Sequence, residues 1–229
     1  MTKPRYFIPV CLYPHTKYRT KAGVSDLFRT YRLHLHEYLI VVADRLLVLD
    51  RLVTGRYWTE ASATNKAKHE ATQILKLIKN VSHKAGAQDN GRMVFWDEIT
   101  EAAPYADFAS RLRDAVLADA LLAGAIEEFV DRRVNRFGLG SAPDRERDYE
   151  REYLLSEVCM SVFCTEMLGF STEVWERPPA PEVPDPLKLL YELRPEVVRQ
   201  VKGQPATRTL SFLYADVRRT EVYVEGPAA

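Results

Sequence analysis

Apolar and polar positions change their period along the chain, and this change predicts alternating strands and helices. Residues 5–12 (RYFIPVCL) and 38–43 (YLIVVA) are short, nearly continuous apolar runs, which are typical of strands buried on both faces of a parallel sheet. Between them, residues 24–36 repeat apolar side chains at helical spacing, at Leu27, Phe28, Tyr31 and Leu35. Strand, helix and strand in this order form a βαβ unit, so we predict an α/β fold with helices covering a parallel sheet.

The pattern after residue 58 extends this α/β organisation over the rest of the chain. Residues 59–84 predict a long helix whose inner stripe is Ala63, Ala67, Ala71, Ile74, Leu75 and Ile78. Further helices are predicted at 105–136, 148–168 and 187–201, and strands at 93–96, 210–214 and 221–224. Five prolines in residues 177–186 indicate a stiff, extended connection. A length of 229 residues suits one domain, so we predict a single domain over 1–229.

Several classes of protein and site do not fit these residues. No apolar run reaches the roughly 18–20 residues of a membrane span, and the first residues contain no apolar core of a signal peptide, so we expect a cytoplasmic protein. The three cysteines form no CxxC pair, which favours reduced thiols. His34 and His36 alternate without an acidic or Cys partner pattern, and neither a GxGxxG, a P-loop nor a GxSxG motif occurs. We therefore predict no metal and no cofactor.

Charge is distributed unevenly although the net charge of the chain is zero. Residues 1–84 contain 15 Lys and Arg against 6 Asp and Glu, a net +9, and the remainder contains 17 against 26, a net −9. This split favours either a polyanionic partner for the first part or attraction between the two parts across an internal interface.

The predicted helix over 59–84 holds much of the positive charge. Its lysines are Lys66, Lys68, Lys76, Lys79 and Lys84, and only Glu60 and Glu70 oppose them. Solvated helix faces usually mix their charges in Glu–Lys pairs four residues apart, and this helix hardly does so. The pattern therefore favours a face that binds phosphates.

A carboxylate in the apolar part of the helix over 148–168 is the main candidate for chemistry. Tyr149, Tyr153 and Glu157 are four apart and lie on one helix face, continued by Ser161 or Cys164. An ionised carboxylate among apolar neighbours is costly unless it is paired. Glu157 is therefore a candidate general base or an anchor for an ammonium group, and the alternative is a structural ion pair with an arginine of a neighbouring helix.

The segment Y-L-L-S-E (153–157) resembles the tRNA-dependent cyclodipeptide synthase family, and other motifs follow in the order found there. These are C-L-Y-P-H-T-K-Y (11–18), I-V-V-A-D (40–44), Gly55, the lysine-rich helix, W-D-E-I (96–99) and D-P-L-K-L-L-Y (185–191). The resemblance covers roughly residues 5 to 195. It implies a Rossmann-like domain similar to class Ic aminoacyl-tRNA synthetases, aminoacyl-tRNA substrates whose acceptor arm docks on the lysine-rich helix, and a monomer.

The resemblance also implies roles for residues at the site. Tyr153 and Glu157 match the tyrosine and glutamate that hold the first aminoacyl group. Aligning Pro14 and Tyr18 with the first loop of the family puts Tyr13 where the serine nucleophile belongs and Thr16 where an asparagine belongs. Trp175 is the aromatic residue nearest to the position of a later active-site tyrosine.

Departure from the serine leaves several functions open. The chain is predicted to make a cyclodipeptide from two aminoacyl-tRNAs, and an arginine-using branch is one form of this reaction. Alternatives are transfer of one aminoacyl group to a small amine acceptor, and a tRNA-binding protein without catalysis. Cys11 is the better intrinsic nucleophile and lies two residues before Tyr13, which gives a hydrolase as a further alternative.

Overall fold

The structure, a computed structural model, describes residues 5–10, 16–44, 59–136, 144–175, 185–202 and 211–214. Within these residues one parallel sheet forms from β1 (Arg5–Val10), β2 (Glu37–Val42), β3 (Gly91–Phe95), β4 (Thr172–Trp175) and β5 (Ser211–Tyr214). The strand order is β3-β2-β1-β4-β5, and every neighbouring pair is parallel. The chain therefore moves outward from β1 to β3 and then returns to the other side of β1, so the order reverses between β1 and β4.

The connections between strands are helical in the described residues. The α-helices are α1 (Lys21–Thr30), α2 (Glu60–Lys84), α3 (Trp96–Thr100), α4 (Ala103–Ala118), α5 (Ala120–Arg136), α6 (Asp144–Glu166), α7 (Pro186–Glu192) and α8 (Pro195–Lys202). Short 3₁₀ helices span Lys17–Arg19, Leu33–Leu35 and Gln88–Asn90.

Alternate residues of the strands build a core on each face of the sheet. One face packs on α1 and α2 through buried residues that include Ile8, Val10, Ile40, Val42, Leu27, Phe28 and Ile78. The other face packs on α3 to α8 through residues that include Phe7, Leu39, Val41, Leu112, Ile126, Val158 and Val198. The predicted parallel α/β architecture with helices on both faces is confirmed.

Helix α2 forms where its sequence predicts it. Thr59 is the N-cap, and its side chain accepts a hydrogen bond from the Ser62 backbone N–H. The stripe predicted to face inward is buried at all six of its positions, and Ala63, Ala67 and Ala71 are fully buried. Their small side chains let the helix backbone approach the sheet closely. Because this stripe faces inward, the lysines lie on the outer side of the helix.

Three points of the predicted element order need correction. The predicted helix over 187–201 is two helices, because the residue before a proline avoids helical geometry and Arg194 precedes Pro195 at the start of α8. Strand β4 was not predicted, because Glu173 occupies a buried position in its four residues and hides the apolar pattern. Trp96 begins α3 instead of ending the third strand. The predicted segments 177–184 and 221–224 lie outside the described residues.

Two features are absent from the described residues, a membrane-spanning helix and a cluster of metal-binding side chains. No helix in the described part of the chain is long and apolar enough to cross a membrane. No group of three or more His, Cys, Asp or Glu side chains within the same described ranges is arranged to hold a metal ion.

Candidate active site

The strand order reverses between β1 and β4, and open α/β sheets form their ligand crevice at the carboxyl ends of the two strands at such a point. These strands are neighbours, with Tyr6 opposite Thr172 and Phe7 opposite Glu173. Ligands of open α/β sheets bind outside the carboxyl edge at such a point. The chain leaves this edge after Val10 and again after Trp175, so the two segments that the resemblance assigns to the site both begin here.

The nucleophile end of the predicted site is only partly described. Cys11 and Tyr13 lie outside the described residues, and their roles stay predictions. Thr16 is buried, and its hydroxyl oxygen accepts a hydrogen bond from the Tyr18 N–H at 3.3 Å, which caps the 3₁₀ helix Lys17–Arg19. Trp175 is the last residue of β4, so its backbone stands at the carboxyl edge, and its role stays a prediction.

Helix α6 brings Tyr153 and Glu157 into contact. The Tyr153 phenol donates a hydrogen bond to Glu157 Oε1 at 2.9 Å, one helical turn away. Tyr153 is buried and Glu157 is partly exposed, while Leu154 and Val158 beside them belong to the core. A partly exposed carboxylate held by a buried phenol is both oriented and accessible to a ligand.

The direction of α6 places this pair toward the carboxyl edge of the sheet. Residues 167–171 lead from α6 directly into β4, so the helix runs antiparallel to the strand, and its earlier turns lie toward the carboxyl end of β4. Helix α6 also contacts β1. Tyr153 and Glu157 therefore lie beside the point where the strand order reverses.

One turn further along α6, the same column makes a buried contact with the sheet. The Ser161 hydroxyl donates to Glu173 Oε1 at 2.8 Å, and Glu173 is wholly buried. Cys164, the other predicted continuation, packs its sulfur on Met160. Sequence reasoning missed Glu173, because its burial depends on a partner in another element, Ser161, and its own neighbours in the chain give no signal of it.

Arginines cluster on other faces of α6. Arg113 of α4 donates to Glu152 and Ser156. Arg151 pairs with Glu127 of α5, and its hydrogen bond, helped by its positive charge, lowers the pKa of that carboxyl group. These ion pairs are packing contacts that join α6 to α4 and α5.

The positive residues of α2 form an exposed surface, which we call the lysine face (Lys66, Lys68, Lys76, Lys79 and Lys84). All five side chains are exposed. Glu70, the acidic residue in their midst, pairs with Arg19 at 2.8 Å. Among the described residues, no acidic side chain forms an ion pair with Lys68, Lys76, Lys79 or Lys84.

The lysine face reaches from the carboxyl edge of the sheet toward its opposite edge. From Lys66 to Lys84 the helix rises by about 27 Å at 1.5 Å per residue. Helix α2 follows β2 and precedes β3, so its first turns lie at the carboxyl edge and Lys66 and Lys68 are nearest to the crevice. The face is long enough to follow a nucleic acid backbone that ends at the crevice.

Acidic residues of the second part of the chain are paired locally. Glu127 and Asp131 of α5 pair with Arg147 and Arg151 of α6, and Glu152 pairs with Arg113. All of these residues belong to the net negative part of the chain. The contacts therefore favour the interpretation of the lysine face as a surface for an external polyanion.

Comparison with known proteins shows which fold these elements form. No protein-family model matches the chain, and no curated protein matches it in sequence. Solved structures do match: a cyclodipeptide synthase from Fluoribacter dumoffii aligns with a TM-score of 0.67 at 14% identity, over 92% of this chain and 89% of that one.

Two further solved structures extend the likeness. The cyclodipeptide synthetase of Mycobacterium tuberculosis, a protein related to type I tRNA synthetases, aligns with a TM-score of 0.64 at 15% identity, over 84% of this chain and 79% of that one. The cyclodipeptide synthase of Candidatus Glomeribacter gigasporarum, bound to Phe-tRNA, aligns with a TM-score of 0.52 at 16% identity, over 98% of this chain and 93% of that one. Identities this low establish the fold and nothing finer. The chain has the Rossmann-like α/β fold of the cyclodipeptide synthases, as its motifs predict.

Proposed function

We propose that the chain is a cyclodipeptide synthase that takes its amino acids from aminoacyl-tRNAs. The observation that carries this proposal is the hydrogen bond between Tyr153 and Glu157, made beside the carboxyl ends of β1 and β4. The fold supports it, because the solved structures that align with the chain include a cyclodipeptide synthase bound to Phe-tRNA.

The reaction needs positioning more than it needs a strong catalyst, because an aminoacyl ester is already activated. Each amide bond forms when an amine attacks an ester carbonyl. The amine loses a proton, and the ester oxygen leaves and takes one up. Two ester bonds are thereby replaced by two amide bonds, and two deacylated tRNAs are released. Holding the amine close to the carbonyl supplies much of the rate.

Glu157 is placed to act on the amine. Its carboxylate binds the α-ammonium of the first aminoacyl group and accepts a proton when that amine becomes the nucleophile for ring closure. The Tyr153 phenol orients the carboxylate by donating to Oε1. Charged hydrogen bonds of this kind are stronger than neutral ones, so the contact favours aminoacylated over deacylated tRNA.

The acyl group is proposed to pass through the loop that follows β1. Tyr13, at the position of the family serine, is the proposed acyl acceptor, and Cys11 is the competing nucleophile. Thr16 ends this loop and fixes its return into the 3₁₀ helix through the contact with Tyr18. Trp175 borders the same crevice from β4. Intact-mass detection of an aminoacyl adduct, followed by peptide mapping, distinguishes Tyr13, Thr16 and Cys11.

The lysine face is the proposed docking surface for the acceptor arm. Its lysines are exposed, their acidic neighbour is already paired with Arg19, and the first of them lie nearest to the crevice.

We further propose that the enzyme is a single domain acting as a monomer, and that it acts in the cytoplasm, where aminoacyl-tRNAs are made. Light scattering with and without tRNA tests the monomer.

The experiment that tests the function uses a panel of aminoacyl-tRNAs, each with a labelled amino acid. We expect ester consumption and a cyclic dipeptide detected by mass spectrometry. The panel includes arginyl-tRNA, so it also tests the arginine-using branch. A linear amide with an added amine would identify the aminoacyl-transfer alternative. Binding of tRNA without consumption of any ester would establish the non-catalytic alternative and refute the proposal.

A further inference from the structure

The contact between Ser161 and Glu173 joins the middle of α6 to the sheet. Ser161 donates to Glu173 Oε1 at 2.8 Å, and both side chains are buried. Ser161 lies one turn after Glu157 on the same helix face, about 6 Å along the axis. Glu173 lies in β4 two residues before its carboxyl end, opposite Phe7 of β1. The contact therefore holds α6 on the sheet one helical turn away from the proposed site.

Burial of the Glu173 carboxyl group at this position has an unfavourable desolvation free energy. It is fully buried, and its strand neighbour Phe7 belongs to the apolar core on that face. A buried carboxylate has a desolvation cost that an apolar residue of similar size avoids, so it is weak evidence for stability by itself. Its hydrogen bond does, however, have a strict geometry, and a geometric constraint is what an active-site helix needs.

Two titratable groups of the core, Cys164 and Tyr191, lie close enough to Glu173 for its carboxyl group to affect their pKa values. Burial raises the pKa of the Cys164 thiol well above its usual range, and the nearby Glu173 carboxylate raises it further. Burial also raises the pKa of the Tyr191 phenol, with smaller contributions from Glu166 and Glu173. Ion pairs join α6 to α4 and α5, and the Ser161 hydrogen bond adds a directional contact between α6 and β4.

We propose that Glu173 is a positioning residue which, through Ser161, sets the axial position and rotation of α6 and so holds the Glu157 carboxylate at the crevice. This inference rests on the proposed function for the meaning of Glu157. Only one helical turn separates Ser161 from Glu157, so a shift of α6 at Ser161 also displaces Glu157. A misplacement of about 1 Å at a reacting group lowers rates by up to about 100-fold.

Variants separate the hydrogen bond from the charge. Glu173→Gln keeps an oxygen that accepts from Ser161, so we expect kcat within about threefold of wild type. Glu173→Leu and Ser161→Ala each remove the contact, and we expect each to lower kcat by about 10- to 100-fold, because a displacement of Glu157 by up to about 1 Å costs this much. The double variant is expected to be no slower than Glu173→Leu alone, because Glu173→Leu has already removed the contact that Ser161→Ala removes. The Kd for deacylated tRNA is unchanged in all of them.

A matched control comes from the same helix. Glu166 is also a buried carboxylate of α6, but it lies nine residues after Glu157 and contacts Lys202 and Tyr191. We expect Glu166→Gln to lower the thermal midpoint and to keep kcat. Equal losses of kcat in Glu166→Gln and Glu173→Leu would reduce Glu173 to a structural role and overturn the inference. A loss in Glu173→Gln as large as in Glu173→Leu would also overturn it, since the hydrogen bond is then not the cause.

Crystal structures keep the two proposals distinguishable. In Glu173→Leu we expect α6 and the Glu157 carboxylate to be displaced relative to β4, compared with wild type. An unmoved Glu157 would overturn the positioning role whatever the activity. A wild-type protein that consumes no aminoacyl ester would refute the proposed function, and the displacement would still decide whether Glu173 positions α6.

Discussion

Removing charge from the lysine face should change the salt dependence of tRNA binding in a predictable way. We consider the variant with Lys68, Lys76 and Lys79 replaced by Gln. All three side chains are exposed and form no ion pair with an acidic residue of the described chain, so their removal should leave the fold intact. Each lysine that neutralises a phosphate contributes about 0.9 to the slope of log K against log salt, so three contribute about 2.7.

This slope difference corresponds to a large change in relative affinity. Between 50 and 200 mM salt the wild-type affinity should fall about 40-fold further than the affinity of the triple variant. Fluorescence anisotropy with a labelled, deacylated tRNA measures both slopes. Deacylated tRNA is the suitable probe because it excludes any contribution from the aminoacyl group at Glu157.

A matched control removes the same charge elsewhere. Arg132, Lys188 and Arg199 are exposed on α5, α7 and α8, and replacing all three by Gln also lowers the net charge by three. We expect this control to keep the wild-type slope within about half a unit. An unchanged slope in the lysine variant, or an equal loss in the control, would show that α2 is not the docking surface.

Three further predictions concern stability and reactivity. Lys202 and Glu166 form a 2.8 Å ion pair with little exposure, so Lys202→Met should lower the free energy of unfolding by about 3 kcal/mol in urea titrations, and adding Glu166→Gln should restore most of it; a loss below about 1 kcal/mol would contradict this. Gly23→Ala should destabilise by about 1–3 kcal/mol despite the helix preference of alanine, because its Cβ would collide with the backbone of the preceding 3₁₀ helix; an unchanged urea midpoint would refute the collision. Burial raises the pKa of Cys159 to about 12 and that of Cys164 still more clearly, so both thiols should resist iodoacetamide at pH 8 until the protein unfolds, and a modified peptide from the native protein would disagree.

Parts of the fold could be predicted because single segments determine them. Burial can be read directly from the apolar residues of β1 and β2 and from the alanine stripe of α2. Strand β4 escaped prediction because Glu173 is buried by a partner on another element, which no local pattern shows. The break between α7 and α8 was not predicted for a different reason, because Pro195 is compatible with either a kink or a new helix start.

In the candidate site, too, contacts within one element could be predicted from the sequence and contacts between elements could not. Helical spacing predicts that Tyr153 and Glu157 lie on one face, and the structure joins them by a hydrogen bond that the spacing alone did not predict. The contact between Ser161 and Glu173 depends on how α6 returns into β4, and therefore needed the fold. The position of Glu157 relative to the strand reversal also depends on the strand order, which residue patterns do not determine.

The most direct test of the account compares wild type with Glu157→Gln on the aminoacyl-tRNA that wild type uses. Glutamine keeps the size of the side chain and an oxygen that accepts from Tyr153, but it loses the negative charge that binds the ammonium group. We predict loss of the cyclic dipeptide in mass spectrometry, by at least about 100-fold, with an unchanged Kd for deacylated tRNA. Product formation at the wild-type rate by Glu157→Gln would contradict the role of Glu157 and, with it, the proposed site.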